Sequence, residues 1–339
     1  LYQGQAQALL RLLENFTEQQ LTPELWAKVK LACGQVYSFL ELPQQAESNY
    51  RIAFALLTGL VQTHYWQGLR VDACRGLGFL LRGRKPEEGL TWLQRGLEIL
   101  SDHDPIQEAD LLIQLGITLG RIKNNHEALY NLHHALDLLS GPGDSHSNPR
   151  ILRLRLLALI NLGIRYFYTN DIHQCNHYMQ QAVRLAEQLE DPFNSLSIQT
   201  NLAAYRQSAG QWAEALECYA TAQKLAQKLG NQQEQSKLNL NSGVLYMQMG
   251  NDHQAWQNLN AALTCARQIE HNELILGSLA YLAEFHLSRG NLTEGETALR
   301  EAEVFSAQTQ ILYQRPFIER LWAQYHWVTE NYSLAVAFA

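Results

Sequence analysis

Three asparagines, Asn161, Asn201 and Asn241, recur at intervals of 40 and 40 residues. Each stands two residues before a small residue of an apolar helical stripe, in Asn-Leu-Gly, Asn-Leu-Ala and Asn-Ser-Gly. Asn inside a helix costs up to about 0.7 kcal/mol relative to Ala, so three at one phase cost roughly 2 kcal/mol of helix propensity. A carboxamide carries both a donor and an acceptor. It can pair with the C=O and N–H of an extended peptide whatever that peptide's side chains are. Repeated at a fixed step, such groups would clamp a backbone. The same amides could instead bond a neighbouring helix and space the repeats, and the residues alone leave both readings open.

Other reactive residues form no catalytic set. There is no phosphate-binding glycine loop, no HExxH and no GxSxG. Gly76-Leu77-Gly78 is half of a dinucleotide fingerprint, but it lies inside a helical pattern with no strand before it. Among the 12 histidines, His173 and His177 have helical spacing near Asp171 and Cys175. Cys175, however, occupies a buried small-residue position, which leaves too few ligands for a metal. His133-His134 is less specific still. No catalytic residue, cofactor or metal is expected, although an enzyme domain outside these residues is left open.

The bulk numbers agree with a binding protein. The 339 residues are 46% hydrophobic and 17% charged, which suits a folded chain. The net charge of −7 argues against a nucleic-acid groove. Arg150, Arg153, Arg155 and Arg165 form a local basic stretch whose plain reading is a solvated face. The five cysteines include no CxxC pair, and all but Cys74 fall where small apolar residues are wanted. They read as reduced core residues of a cytoplasmic protein. No apolar run is long enough to span a membrane, and no signal peptide is visible. The chain starts at Leu1 inside a helical pattern and stops early in another, so it is expected to be part of a longer protein.

The elements that position these residues follow from a second recurrence. Small residues return as Ala6, Ala46, Gly89, Ala128, Cys175, Ala215, Ala255, Gly295 and Ala335, at gaps of 40, 43, 39, 47, 40, 40, 40 and 40. Such a period marks a solenoid of stacked units. From Leu238, one unit reads as helix A, a tight turn at Gly250-Asn251, and helix B. Its landmarks are Gly243, Tyr246, Gly250, Ala255, Leu259 and Ala262. Equivalent sets begin at Gly34, Gly76, Gly116, Gly163, Ala203, Ala283 and Ala323. A small residue on helix A lets helix B approach closely, and neither helix can bury its stripe alone.

Thr22-Pro23, Asp104-Pro105 and Asp191-Pro192, with Asn148-Pro149, read as capped helix starts. They lengthen helix A by about a turn. Pro316 lies closer to its landmark, so the last helix A should start late or kink. The longest gap holds a Gly/Pro/Ser-rich loop, 140–149, a candidate hinge.

These landmarks resemble the tetratricopeptide repeat (TPR) over almost the whole chain, with one departure. The usual unit has about 34 residues, and this one has 40. The long unit looks like the arrays of maltose-regulator-type activators and signal-transduction NTPases. The resemblance implies an all-α fold, a right-handed α–α superhelix (TPR solenoid) of about seven complete helix-turn-helix repeats with partial repeats at both ends. Within 1–339 the partial first repeat is 2–16. The full repeats are 22–58, 64–100, 104–140, 148–189, 191–229, 233–269 and 273–309, and the partial last one is 313–339. In such arrays the A helices line a concave surface. Similar Asn ladders hold peptides in kinesin light chains and peptide-pheromone receptors. By phase, the groove neighbours of Asn161, Asn201 and Asn241 are Thr200, Gln207, Ser208, Lys237, Val244, Met247, Gln248, Glu284, Leu287 and Ser288.

The resemblance implies a non-catalytic scaffold or sensor that binds a protein or peptide, as part of a larger signalling or regulatory protein. Two alternatives stay open: a small-molecule inducer-sensing array, and a regulatory array attached to an enzyme domain outside this chain. Nucleic acid and membrane are not expected partners, and self-association is left open.

Overall fold

A computed structural model describes residues 3–60, 63–100, 104–140, 148–309, 311 and 314–338. Among them the chain forms 17 α-helices, one short 3-10 turn at Glu18–Gln20, and no strand. None of the described helices is long and apolar enough to cross a membrane. The chain divides into two compact units, 1–189 and 190–339. The division falls at Leu189 and Glu190 rather than at the loop marked as a candidate hinge, whose residues 141–147 lie outside the described ones.

The first unit opens with α1 (Gln3–Glu14) and continues as four helical hairpins. These are α2 (Pro23–Phe39) with α3 (Pro43–Thr58), α4 (His64–Leu81) with α5 (Pro86–Ile99), α6 (Pro105–Arg121) with α7 (Asn125–Leu138), and α8 (Pro149–Tyr168) with α9 (Ile172–Gln188). The second unit holds four more: α10 (Pro192–Ser208) with α11 (Trp212–Lys228), α12 (Gln232–Gln248) with α13 (Asp252–Gln268), α14 (Asn272–Ser288) with α15 (Leu292–Thr309), and α16 (Arg315–Val328) with α17 (Tyr332–Phe338). The even-numbered helix of each hairpin is its A helix.

Four of the A-helix starts are chemically marked in one way. The side chains of Thr22, Asp104, Asn148 and Asp191 accept from backbone N–H groups in the first turn that follows, with Pro as the next residue. The turns inside the hairpins are equally local. Gly250 takes φ +73, its N–H donates to the Met247 carbonyl at 3.1 Å, and the Asn251 N–H donates to Tyr246 at 2.9 Å. This is a Schellman closure, which satisfies the last carbonyls of α12. The Asn251 side chain then accepts from the Gln254 N–H at 3.2 Å and starts α13. Helix, left-handed residue, cap and helix therefore follow within three connecting residues.

The period of 40 has a simpler source than a longer helix A. In α10 to α13 both helices of each hairpin are 17 residues long, so helix B is extended as much as helix A. The last A helix does start late: α16 begins at Arg315 and has 14 residues.

The hairpins interlock through one small residue on helix A. A Cβ placed on Gly243 would lie 2.8 Å from Cγ of Leu259, and one on Gly116 would lie 2.6 Å from Cγ of Leu132. Leu259 and Leu132 are fully buried, so neither has room to retreat. In the first unit the core runs through Leu77, Leu93, Leu111, Leu132 and Leu162. In the second it runs through Leu259, Leu276, Leu299 and Leu321. Every one of these side chains is contributed by a stripe that no single helix could bury.

Candidate functional site

In the second unit, α12 packs on α14 and α14 on α16. Their exposed edges, together with α10, form a trough. Ala204, Gln207 and Ser208 of α10, Tyr219 of α11, Asn241, Val244 and Gln248 of α12, and Tyr281 of α14 line a depression of about 400 Å³. A neighbouring depression of about 420 Å³ is lined by Val244, Met247, Gln248, Tyr281, Glu284, Ser288, Arg289, Phe317 and Arg320. Val244, Gln248 and Tyr281 belong to both, so the two are one trough crossing four A helices.

One end of the trough is an amide network. Gln207 Nε2 donates to Gln248 Oε1 at 2.9 Å, and the Tyr219 hydroxyl donates to Gln207 Oε1 at 3.0 Å. The Asn241 side chain has no hydrogen-bond partner among the described residues. Its donor and acceptor are thus free to meet a ligand. The middle is apolar, with half-buried Val244, Met247 and Tyr281. Burial, then the charge of Glu284, raises the Tyr281 phenol above its usual range, against a smaller opposing effect of Arg320. It therefore stays a neutral donor at neutral pH.

The other end is aromatic and charged. Tyr281 and Phe317 lie 5.1 Å apart between ring centroids, and the Arg320 guanidinium stands 5.0 Å over Phe317. Arg320 Nη2 pairs with Glu284 Oε1 at 2.7 Å, while Arg289 Nε pairs with Asp252 at 2.8 Å. Exposed pairs of this kind contribute at most about 1 kcal/mol. They can open in favour of a charged ligand at little cost.

Of the residues expected at the groove, Gln207, Ser208, Asn241, Val244, Met247, Gln248, Glu284 and Ser288 line the trough. Five others do not. Leu287 is buried, its Cδ2 standing 2.6 Å from where a Cβ on Gly295 would be, because it packs inward where α15 starts. Lys237 is tied to Glu234 at 2.7 Å. Thr200 donates its hydroxyl to the Leu196 carbonyl at 2.9 Å, one turn back in its own helix. Asn201 is half-buried and outside the trough lining. Asn161, in the first unit, donates to the Leu157 carbonyl of its own helix at 2.8 Å. The three-rung ladder thus has one rung, Asn241, in the trough.

Sequence reasoning missed Ala204, Tyr219, Tyr281, Arg289, Phe317 and Arg320. Tyr281 was within reach: it lies 40 residues after Asn241, at the same phase. Phe317 and Arg320 keep the register of 40 but stand on α16, where no groove residue was expected.

Four of the five thiols are buried. Cys33, Cys74, Cys175 and Cys218 are buried free thiols, and Cys265 is half-buried with its Sγ 3.3 Å from the Gln232 carbonyl. Burial pushes Cys74 up to about 12 and Cys175 up to about 11, so neither forms a thiolate at neutral pH. Among the described residues no group of three or more His, Cys, Asp and Glu is placed to hold a metal ion.

Paired helices closed by a left-handed residue and a cap, interlocked through one small residue, define a TPR-type helical-repeat protein. Residues 145–338, more than half of the chain, match the family model described as the MalT-like TPR region. The chain belongs to that family. No curated protein matches it in sequence.

Several solved structures share the fold. The apo form of RapI superposes with a TM-score of 0.62 at 15% identity, over 83% of this chain and 99% of RapI. A Rap protein solved with competence and sporulation factor gives 0.59 at 14%, over 93% and 96%. A signal transduction ATPase with numerous domains, carrying a tetratricopeptide repeat sensor, from Pyrococcus horikoshii gives 0.67 at 11%, over 99% of this chain and 52% of the ATPase.

Proposed function

We propose that the second unit binds an extended protein or peptide segment along its trough and acts as the recognition part of a regulatory protein. The observation that carries this is the continuity of the trough from Gln207 to Arg320. Unpartnered amide, apolar middle and aromatic–charged end follow one another across four A helices. A long polar trough with spaced apolar anchors suits a chain segment better than a small apolar molecule. A more closed cavity, lined by Ser306, Ile318, Trp322 and Phe338 among others, holds about 210 Å³. That is below the roughly 300–1,000 Å³ of typical small-molecule sites. Support from relatives is of the same kind: Rap proteins of this fold have been solved with competence and sporulation factor and with a Phr* peptide. The tetratricopeptide sensor of the P. horikoshii ATPase and the family match both favour a sensor role within a larger regulator.

The test is selection of binders from a random peptide library against the full chain, followed by binding of the selected peptides to Asn241→Ala and Gln248→Ala. Each substitution should weaken binding by about 0.5–1.5 kcal/mol, the usual worth of a hydrogen bond. The melting temperature should barely move. Peptides that bind the Asn241→Ala protein as well as the parent would overturn the reading.

A further inference from the structure

We propose that the first unit carries a separate binding site: a cationic row formed by Arg82, Arg121 and Arg165 at the ends of α4, α6 and α8, which takes the carboxylates of an acidic protein segment. None of the three guanidiniums has a carboxylate within ion-pair distance among the described residues. Arg75, one helical stretch away on α4, shows what a neutralised arginine looks like here. It lies 3.7 Å from Asp72 and 3.5 Å from Asp110.

The row is built, with an open centre. Arg82 Nη1 donates to Oε1 of the buried Gln114 at 3.1 Å, and its guanidinium lies 4.1 Å over the Phe79 ring. Arg165 Nη1 donates to the Gly120 carbonyl at 2.8 Å and to Asn125 Oδ1 at 3.3 Å, with the Tyr168 ring 4.9 Å away. Arg121 between them is exposed and has no hydrogen-bond partner among the described residues. Lys123, exposed in the adjoining turn, adds to the charge. Burial first, and then the proximity of Arg121, lowers the pKa of Arg82; burial also lowers that of Arg165, opposed by Tyr168 and assisted by a smaller effect of Arg121. Guanidinium stays charged at neutral pH in either case.

Two features separate this from simple capping of helix ends. Arg165 does bond a terminal carbonyl, but among the described residues neither Arg82 nor Arg121 hydrogen-bonds one, so capping of terminal carbonyls does not account for them. Also, Gln114 and Arg121 stand two before and five after Gly116, the positions that Asn241 and Gln248 hold around Gly243 in the trough. Charge repulsion along such a row is relieved by an anion, and among the described residues no carboxylate lies within ion-pair distance of it. A protein segment fits better than a nucleic acid. The aromatic faces nearest the row, Phe79 and Tyr168, are already covered by Arg82 and Arg165, which removes the platforms that bases stack on.

The test uses the full chain and a fluorescein-labelled octaglutamate, read by anisotropy at low ionic strength. Saturable binding should appear, weaken with salt, and fall about tenfold in Arg121→Glu and about fivefold in Arg82→Gln. Arg267→Gln, which removes a cation from α13, should change it less than about twofold. Arg121 is exposed, so Arg121→Glu should leave the melting temperature nearly unchanged, which separates loss of binding from loss of folding. Octaglutamate binding no tighter than octaserine, or unchanged binding by Arg121→Glu, would overturn the proposal. So would tighter binding of an octathymidylate than of octaglutamate.

Discussion

The two units use one hairpin design with different tolerances. In the second, five successive helices from α10 to α14 are 17 residues long, and three of the four hairpin turns use Gly210, Gly250 and Gly290 at positive φ, the last using Glu330. In the first, helix length varies from 12 to 20 residues, and the hairpin turns place Glu41, Lys123 and Asn170 at positive φ. Equal lengths return every side chain to the same face, so short groups such as Asn241, Val244 and Ser288 can share a trough. Where lengths vary, the phase drifts. Arg82, Arg121 and Arg165 sit six, five and two residues after their landmark glycines. Only long side chains can bring such positions into one row. Regular spacing lets small polar groups share a trough beside Arg289 and Arg320, and irregular spacing leaves only long side chains able to meet.

The comparison can be broken most forcefully in the cores. Leu132→Ala and Leu259→Ala remove equivalent, fully buried side chains, and each should cost about 2–5 kcal/mol. Hydrogen exchange should then rise most within the substituted unit. A uniform rise across the chain would mean that the two units do not unfold separately. Gly243→Ala should cost about 1–3 kcal/mol, because the new methyl meets both Cγ and the backbone N of Leu259.

The turns give a smaller effect of opposite sign in the two units. Gly250→Ala has open space around it but a φ of +73, so strain alone should cost about 1 kcal/mol. Glu41→Gly, at φ 58, should stabilise the first unit by up to about 1 kcal/mol. Equal effects at both sites would remove the contrast.

The smallest effect is a pH dependence common to both. Burial lowers the pKa of His133 and His286, outweighing Asp137 and Glu294, which raise it. A histidine with a lowered folded pKa binds fewer protons folded than unfolded. Stability should therefore be fully present above the unfolded value near 6.5 and decline as pH falls through and below it. His133→Gln should flatten part of the fall in melting temperature between about pH 7 and pH 5. A melting temperature that rises as pH drops over that interval would contradict the burial argument.

Much of the fold was readable from particular residues. Thr22, Asp104, Asn148 and Asp191 followed by Pro marked helix starts, since few side chains can satisfy a first turn. Gly250-Asn251 marked a turn for the same local reason. The site was read less well. Phase alone brought Gln207, Gln248 and Ser288 to the trough, but Leu287, one residue from Ser288, is buried by the approach of Gly295. A shift of one position turns a groove residue into a core residue, and hydrophobicity does not separate Met247 from Leu287. Asn161 shares the phase of Asn241, yet its amide folds back on its own helix. The arginine row depended on long side chains whose ends no periodicity predicts.

The Gly250-Asn251 closure draws on nothing beyond its own two helices and the first turn of the second. A helix pair bounded by such joints, such as α11 with α12, is a transferable cassette. Excising residues 212–251 would join α10 to α13 through a connection of the same three-residue length and in the same phase. Lineages built from this unit can therefore lengthen or shorten their binding surface in whole steps, by copying or losing coding segments, without redesigning any joint.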